Sequence, residues 1–362
     1  MPIDAAAFLE SPRGRHLCFE VALAASADNS DDNEREPYEE SLAVQFGDAA
    51  SHLDDARGRG AVRYSSGSDG PGALPPRPRP AIADLASALE IVDLDHIDSA
   101  AIADALEVTV DVAVYWDEPD GLEQILANPV MRPALERIAT RVLHEPETTW
   151  WSTPAALEQW KVVFTDSTHP AVPEKSAAVI LRDWRTDAAS DAVWWSIPSR
   201  RLTSTTRADS EYGPIGLSLI EDTFGWKKAD ATRLFPRTAS RIYEIVDASA
   251  WAELCRAYPL DAHGRAANWS EITGRVGRWV MPDFSLVARD YDAVHLTVSA
   301  YLSSAGTPIA VDTDTASVIA GWHPDETFWL IDVETDPSTR TGLSYDDDAY
   351  RWRVDAPLKK AL

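Results

Sequence analysis

The stretch Arg-Asp-Tyr-Asp-Ala-Val-His-Leu-Thr-Val-Ser-Ala-Tyr-Leu, residues 289–302, decides the predicted fold. From Val294 onward apolar and polar side chains alternate, which is typical of a β-strand with one buried face. The other face carries His295, Thr297 and Ser299, whereas an open strand face in so acidic a chain would more naturally carry charged residues. We therefore expect this face to line a cleft with at least one indole.

A partly buried histidine needs a hydrogen-bond partner for its ring nitrogen. The expected partners of His295 are Asp292, Tyr291 or Glu326, which lie near it along the chain or in the following turn. An acid, a base and phenols would then gather at one sheet edge.

Similar short runs surround this stretch from residue 145 to about 335. The predicted strands are 160–164, 192–197, 215–220, 241–246, 293–299 and 327–331. The predicted helices are 174–184, 248–258 and 282–289, the last with proline in its first turn. We expect a tryptophan-rich α+β domain with a mixed or antiparallel sheet, in which Trp195, Leu217, Ile242, Val294 and Trp329 belong to one sheet system.

The first 144 residues differ from this domain in composition and in the spacing of their apolar residues. Residues 1–24 predict an N-terminal helix that Pro12 interrupts, and 25–80 predict a low-complexity linker rich in Pro, Gly and Ser. Apolar residues at helical spacing predict a helical subdomain over 81–144, and 336–362 form an acidic tail.

The formal charge is −26, from 33 Lys plus Arg against 59 Asp plus Glu. Such a surface repels phosphate backbones and anionic lipid, so nucleic acid and membranes are not expected partners. The charge is typical of an acidic proteome, and the alternative is docking to a protein partner with a basic surface. Without an export signal, and with Cys18 and Cys255 far from metal-ligand spacing, we expect a cytoplasmic protein with no metal site.

Tryptophan is the unusual residue, with 14 in 362. An indole is costly to hide completely, so an excess lines grooves and ligand walls or fills a large core, and the sequence leaves both open. Trp194 and Ser196 share one face of the predicted strand 192–197, and Trp322 lies in a turn set by Gly321 and Pro324. Phosphate-loop, dinucleotide, nucleophile-elbow and zinc-helix signatures are absent from the sequence.

The order of four short motifs, at 193–196, 241–245, 282–294 and 321–329, resembles a family of bacterial proteins associated with ADP-ribosyltransferase-like folds. The resemblance covers residues 192–331 and implies an enzyme that uses NAD. His295 and His323 stand where the family pattern has acidic residues, which puts a glutamate-dependent mechanism in doubt.

A non-catalytic interaction or ligand-binding protein is the first functional hypothesis, because standard catalytic signatures are missing. The NAD-using enzyme is the alternative: indoles would sandwich nicotinamide, a hydroxyl would bind the ribose, and carboxylates would stabilise positive charge. A hydrolase using Ser196, His295 and either Asp283 or Asp292 is a further alternative. The catalytic candidates are Ser196, Asp292, His295 and Glu244, and the cofactor-binding candidates are Trp194 and Trp322.

Overall fold

The computed structural model describes residues 4–28, 41–58, 80–166, 175–187, 193–209, 213–222, 225–236 and 239–355. The chain divides into two compact units: Met1–Thr109 with Asp117–Thr148 form unit 1, and Val110–Trp116 with Thr149–Leu362 form unit 2. The fold is α+β, with an N-terminal helical region followed by mostly antiparallel sheets. In the part of the chain that the structure describes, no helix has both the length and the apolar character needed to cross a membrane.

Helices build the described part of unit 1. They are α1 (Ala5–Phe8), α2 (Pro12–Asp28), α3 (Leu42–Ala56), α4 (Ile82–Glu90), α5 (Ser99–Asp111, which runs into unit 2), α6 (Gly121–Leu126) and α7 (Arg132–Leu143). Pro12 starts α2 instead of interrupting a helix, because the first turn of a helix does not need its missing N–H. In α7, Leu135, Ile138 and Val142 form a buried stripe at helical spacing.

The predicted linker over 25–80 contains helix α3, so this part of the prediction was wrong. Ser41 caps the helix by accepting a hydrogen bond from the Val44 backbone N–H at 3.4 Å. Leu42, Phe46 and Ala49 are buried along one face of this helix. The polar and Pro-rich composition of the flanking residues masked this apolar face in the sequence. Residues 29–40 and 59–79 of the predicted linker lie outside the described residues.

Unit 2 contains the strands and the remaining helices. The strands are β1 (Gln159–Phe164), β2 (Ser204–Thr205), β3 (Ala208–Asp209), β4 (Gly213–Pro214), β5 (Lys228–Leu234), β6 (Ile242–Ile245), β7 (Pro259–Asp261), β8 (Arg278–Pro282), β9 (Ala293–Leu296), β10 (Ile309–Ala310), β11 (Thr315–Ser317), β12 (Thr327–Trp329), β13 (Thr341–Asp346) and β14 (Arg351–Val354). The helices are α8 (Ala177–Asp187), α9 (Ala248–Ala257), α10 (Ala266–Thr273), α11 (Phe284–Val287) and α12 (Val298–Ser304).

The strands form three four-stranded sheets, ordered β1-β5-β13-β14, β10-β11-β8-β7 and β2-β12-β9-β6, and a β3-β4 pair. The first sheet is antiparallel throughout, and β13 and β14 place part of the predicted acidic tail in it. In the third sheet β6 and β9 are parallel, so that Glu244 lies opposite His295. This sheet contains Ile242, Val294 and Trp329, which confirms their predicted association.

Two predicted strands take other conformations. Residues 193–197 are irregular, because side chains bind their carbonyl groups: Trp269 Nε1 donates to Trp194 O at 2.7 Å, and Arg265 Nε donates to Trp195 O at 2.8 Å. Residues Ile215–Leu217 form a 3₁₀ helix, in which the Gly216 N–H donates to Thr206 Oγ1 at 3.0 Å. Trp195 and Leu217 therefore lie outside the sheets.

The predicted strand over 293–299 ends at Leu296. Thr297 caps α12, because its hydroxyl accepts a hydrogen bond from the Ala300 N–H at 3.1 Å. Thr297 and Ser299 therefore follow the strand and do not share its polar face. Likewise Pro282 ends β8, and the next helix begins only after Asp283, which caps it.

Candidate functional site

Unit 2 contains a partly open cavity of about 520 Å³, a size within the range of small-molecule sites. Five tryptophans line it, and we call them the cavity indoles: Trp116, Trp160, Trp194, Trp195 and Trp226. Phe164, Val162, Ile197 and Ile220 add to the apolar wall. A concave site built largely from aromatic rings, with a few polar groups, is the common form of a ligand pocket.

Strand β1 supplies one wall of the cavity. Trp160, Val162 and Phe164 alternate along the strand and therefore point to the same face of the sheet. Phe164 stacks on Trp226 with a centroid distance of 4.7 Å, which joins the strand to the segment before β5. Period-two alternation of large apolar residues is the sequence signal that could have indicated this wall.

The irregular segment 193–197 supplies another part of the indole lining. Trp194 stacks on Tyr115 at 5.7 Å and contacts Trp116 at 4.9 Å, while Trp195 meets it edge to face. The hydrogen bonds from Trp269 and Arg265 to the two carbonyl groups fix the backbone that carries these rings. Burial lowers the pKa of Arg265 to about 10, so the guanidinium keeps its charge at neutral pH.

Gly321 lets the chain pass close behind these two indoles. Its φ of +72° lies in the left-handed region. A Cβ atom there would lie 2.8 Å from Trp195 Cβ and 3.1 Å from Trp194 Cζ3. Only glycine therefore fits both the backbone conformation and the space.

Three charged or polar side chains meet beside Gly321. Arg200 Nη2 donates to Gly321 O at 2.5 Å and to His323 Nε2 at 3.1 Å, and its Nη1 lies 3.5 Å from Glu326 Oε1. Burial, and then the Arg200 charge, hold the pKa of His323 well below its ordinary value, so the imidazole is neutral and accepts from Arg200. Burial raises the pKa of the Glu326 carboxyl, with Arg200 acting in the opposite direction.

Two adjacent carboxylates, Glu221 and Asp222, line another part of the cavity. Glu221 is 8% exposed, and its Oε1 accepts a hydrogen bond from the Tyr115 hydroxyl at 2.7 Å. Asp222 has a φ of +57°, and its backbone N–H donates to Asp111 O at 3.2 Å. Because Tyr115 also stacks on Trp194, the Glu221 carboxylate is linked to the indole wall.

Of the predicted cofactor-binding pair, Trp194 lines the cavity and Trp322 does not. Trp322 is fully buried, packs edge to face with Trp251 and Phe328, and donates from Nε1 to Glu326 O at 3.1 Å. Ser196 is also fully buried, and its Oγ accepts from the Ala320 N–H at 3.0 Å. The predicted sandwich of one ring between Trp194 and Trp322 is therefore not formed.

The structure brings Glu244 and His295 together away from the cavity lining. His295 is 0% exposed, with Nδ1 2.5 Å from Glu244 Oε2 and Nε2 3.3 Å from Asp325 Oδ1. Arg207 Nε donates to the same Asp325 oxygen at 2.7 Å. Burial alone lowers the pKa of His295, but the hydrogen bonds to Asp325 and Glu244 outweigh it, so the pKa lies above its ordinary value.

The expectation that the face of His295 lines a cleft, and the partners expected for its ring, were therefore wrong: the side chain is fully buried and does not line the cavity. The ring finds its carboxylates across the sheet and in the turn before β12, where local sequence gives no indication of pairing. Asp292 instead accepts from the Arg241 backbone N–H at 2.8 Å and lies 3.3 Å from its side chain. Ser196 and His295 bond to different groups, so the structure does not assemble the predicted hydrolase relay.

Comparison of the chain with protein-family models, with curated proteins and with solved structures finds no match. The resemblance to ADP-ribosyltransferase-like proteins therefore stays a prediction from the sequence. Function has to be inferred from the chemistry of the cavity: a wall of aromatic rings that can stack on a flat ligand, and polar groups at its edge that can orient it.

Proposed function

We propose that this chain is a non-catalytic binding protein that holds a flat-faced organic ligand in the cavity of unit 2. The observation that carries the proposal is the lining by five indoles and Phe164. Stacked and edge-to-face contacts between aromatic rings contribute about 0.5 to 1.5 kcal/mol each beyond the apolar area that they bury. A planar ring system would make several such contacts at once.

The polar side chains that line the cavity are hydrogen-bonded to other groups of the protein, and this supports ligand binding in place of catalysis. Arg200 is bonded to Gly321 and His323, and Glu221 accepts from Tyr115. These bonds fix the polar groups in place, which suits orientation of a ligand. The NAD-using alternative has less support, because Ser196 and Trp322 are buried and both ring nitrogens of His295 face carboxylates.

Calorimetric titration of the full chain with 4-methylquinoline, a neutral planar probe, tests the proposal. We expect saturable binding that Trp194→Leu weakens about three- to tenfold, the equivalent of one lost aromatic contact. The matched control is Trp150→Leu, which removes a half-buried indole of the same unit that does not line the cavity. Absence of binding, or equal weakening by both substitutions, would contradict the proposal; NAD titrated in the same way tests the alternative.

A further inference from the structure

The side chains that line the cavity carry more negative than positive charge. Among the described lining residues there are three carboxylates, from Glu221, Asp222 and Glu326, and one guanidinium, from Arg200. Full ionisation gives 1 − 3 = −2, and a protonated Glu326 would still leave the lining negative. The whole chain, at −26, adds a long-range field of the same sign.

The guanidinium of Arg200 is already engaged by the protein. It donates to the Gly321 carbonyl and to His323, lies near Glu326, and sits 6.0 Å from the centre of the Phe328 ring. An anionic ligand would have to compete with these partners for the guanidinium. The cavity thus offers little net attraction to an anion.

The aromatic wall itself favours positive charge. The face of an indole carries the negative part of the ring quadrupole and attracts a cation within about 6 Å, most strongly where water is excluded. Glu221, more than nine-tenths buried, adds a carboxylate that the neutral Tyr115 hydroxyl links to the Trp194 ring. Indole faces with buried carboxylates beside them form the kind of site that recognises quaternary ammonium groups.

We infer that the ligand of this cavity is an organic cation, a planar or alkylated ammonium compound held by the cavity indoles and by Glu221 with Asp222; this inference rests on the proposed binding function. Positive charge on the ligand would be stabilised by the ring faces and by the carboxylates together. A neutral ligand of the same shape would keep the stacking contacts and lose the electrostatic ones.

A pair of probes with nearly the same shape separates these contributions. N-methylquinolinium is permanently charged, whereas 4-methylquinoline is neutral near neutral pH. At low salt we expect the cation to bind the full chain about tenfold more tightly, because a desolvated cation–π contact contributes about 1 to 2 kcal/mol. Glu221→Gln should reduce that ratio to about two- or threefold.

The control for charge alone is Glu334→Gln, an exposed carboxylate of unit 2 that does not line the cavity, and it should leave the ratio unchanged. If Glu221→Gln does not fold, Asp222→Asn provides the second variant, because asparagine tolerates the left-handed backbone found there. A smaller reduction of the ratio is expected, since Asp222 is exposed.

The outcomes distinguish the inference from the proposal beneath it. Equal or tighter binding of 4-methylquinoline overturns the cation inference and leaves the binding function standing. Tighter binding of quinoline-4-carboxylate than of either probe also overturns it, and identifies Arg200 as the anchor. If none of the three probes binds, the proposed function itself fails.

Discussion

Unit 2 has five fully buried tryptophans and five that line its cavity, and these two sets account for ten of the 14 in the sequence. The core indoles, all fully buried, are Trp251, Trp269, Trp279, Trp322 and Trp329. Each core indole donates its N–H to a protein acceptor, as a buried indole should. The cavity indoles are less deeply buried and line the cavity.

The two sets are connected, because core indoles help to hold the cavity wall. Trp269 donates a hydrogen bond to the backbone carbonyl of Trp194. Trp329 donates to Thr205 Oγ1 at 2.9 Å, and Thr205 also lines the cavity. Tryptophan therefore has two uses in this unit. The core set fixes the backbone, and the cavity set is available to a ligand.

The largest expected effect is on the free energy of unfolding, which a substitution of a core indole should lower far more than a substitution of a cavity indole. Trp322→Ala should lower the free energy of unfolding by about 3 to 5 kcal/mol, because it leaves a cavity in a packed core. Trp194→Leu should lower it by only about 1 kcal/mol, since the half-buried site keeps an apolar side chain. Urea denaturation of both variants measures this, and equal losses would show that Trp194 belongs to the core.

The next largest effect on stability is expected at the charged cluster of His295, Glu244, Asp325 and Arg207. His295→Gln should cost about 3 kcal/mol, because the carboxylates of Glu244 and Asp325 would lose the imidazolium that balances them. Binding of 4-methylquinoline should be retained, since these residues do not line the cavity. Loss of probe binding in a folded variant would place the cluster within the site.

The same cluster makes stability depend on pH. The pKa of folded His295 lies above 6.5, so the stabilisation from its protonation is complete below that pH and is lost as the pH rises through the folded-state pKa. Unfolding free energies of wild type and His295→Gln, measured by urea denaturation across this range, should converge as the pH rises. A difference independent of pH would mean that the ring is not protonated in the folded protein.

The smallest expected effect comes from two glycines. Gly321→Ala and Gly274→Ala share a positive φ, at +72° and +68°, but only Gly321 would place a Cβ against other atoms. We expect Gly274→Ala to cost about 1 kcal/mol and Gly321→Ala about 2 kcal/mol. Only Gly321→Ala should weaken probe binding in calorimetry, because it displaces Trp194 and Trp195; equal binding by both variants would contradict this.

The sequence predicted the fold class and the central strands, because the alternation around Val294 and the short apolar or alternating runs at 241–246 and 327–331 are local signals. It could not predict that 193–197 leaves the sheet, since the groups that bind these carbonyls come from Arg265 and Trp269, about seventy residues away. A threonine at position 297 fits the cap of a helix as well as the polar face of a strand, so the alternation did not indicate that the strand ends at Leu296.

For the site, the tryptophan excess and Trp194 were visible in the sequence, and the pattern Trp160, Val162, Phe164 could have indicated the wall of β1. Arg200 and Glu221 gave no local signal, because the cavity joins segments that are distant along the chain. The pairing of Glu244 with His295 depends on the parallel register of β6 and β9, which alternation alone does not define.

Fluorine NMR of the full chain labelled with 5-fluorotryptophan shows directly whether a ligand occupies the cavity, once its 14 indoles are assigned by single Trp→Phe substitutions. On saturation with 4-methylquinoline, we expect resonances of the cavity indoles, Trp194 foremost, to shift while those of the core indoles stay in place. Shifts confined to the core indoles, or no shift of any cavity indole at saturation, would contradict the account.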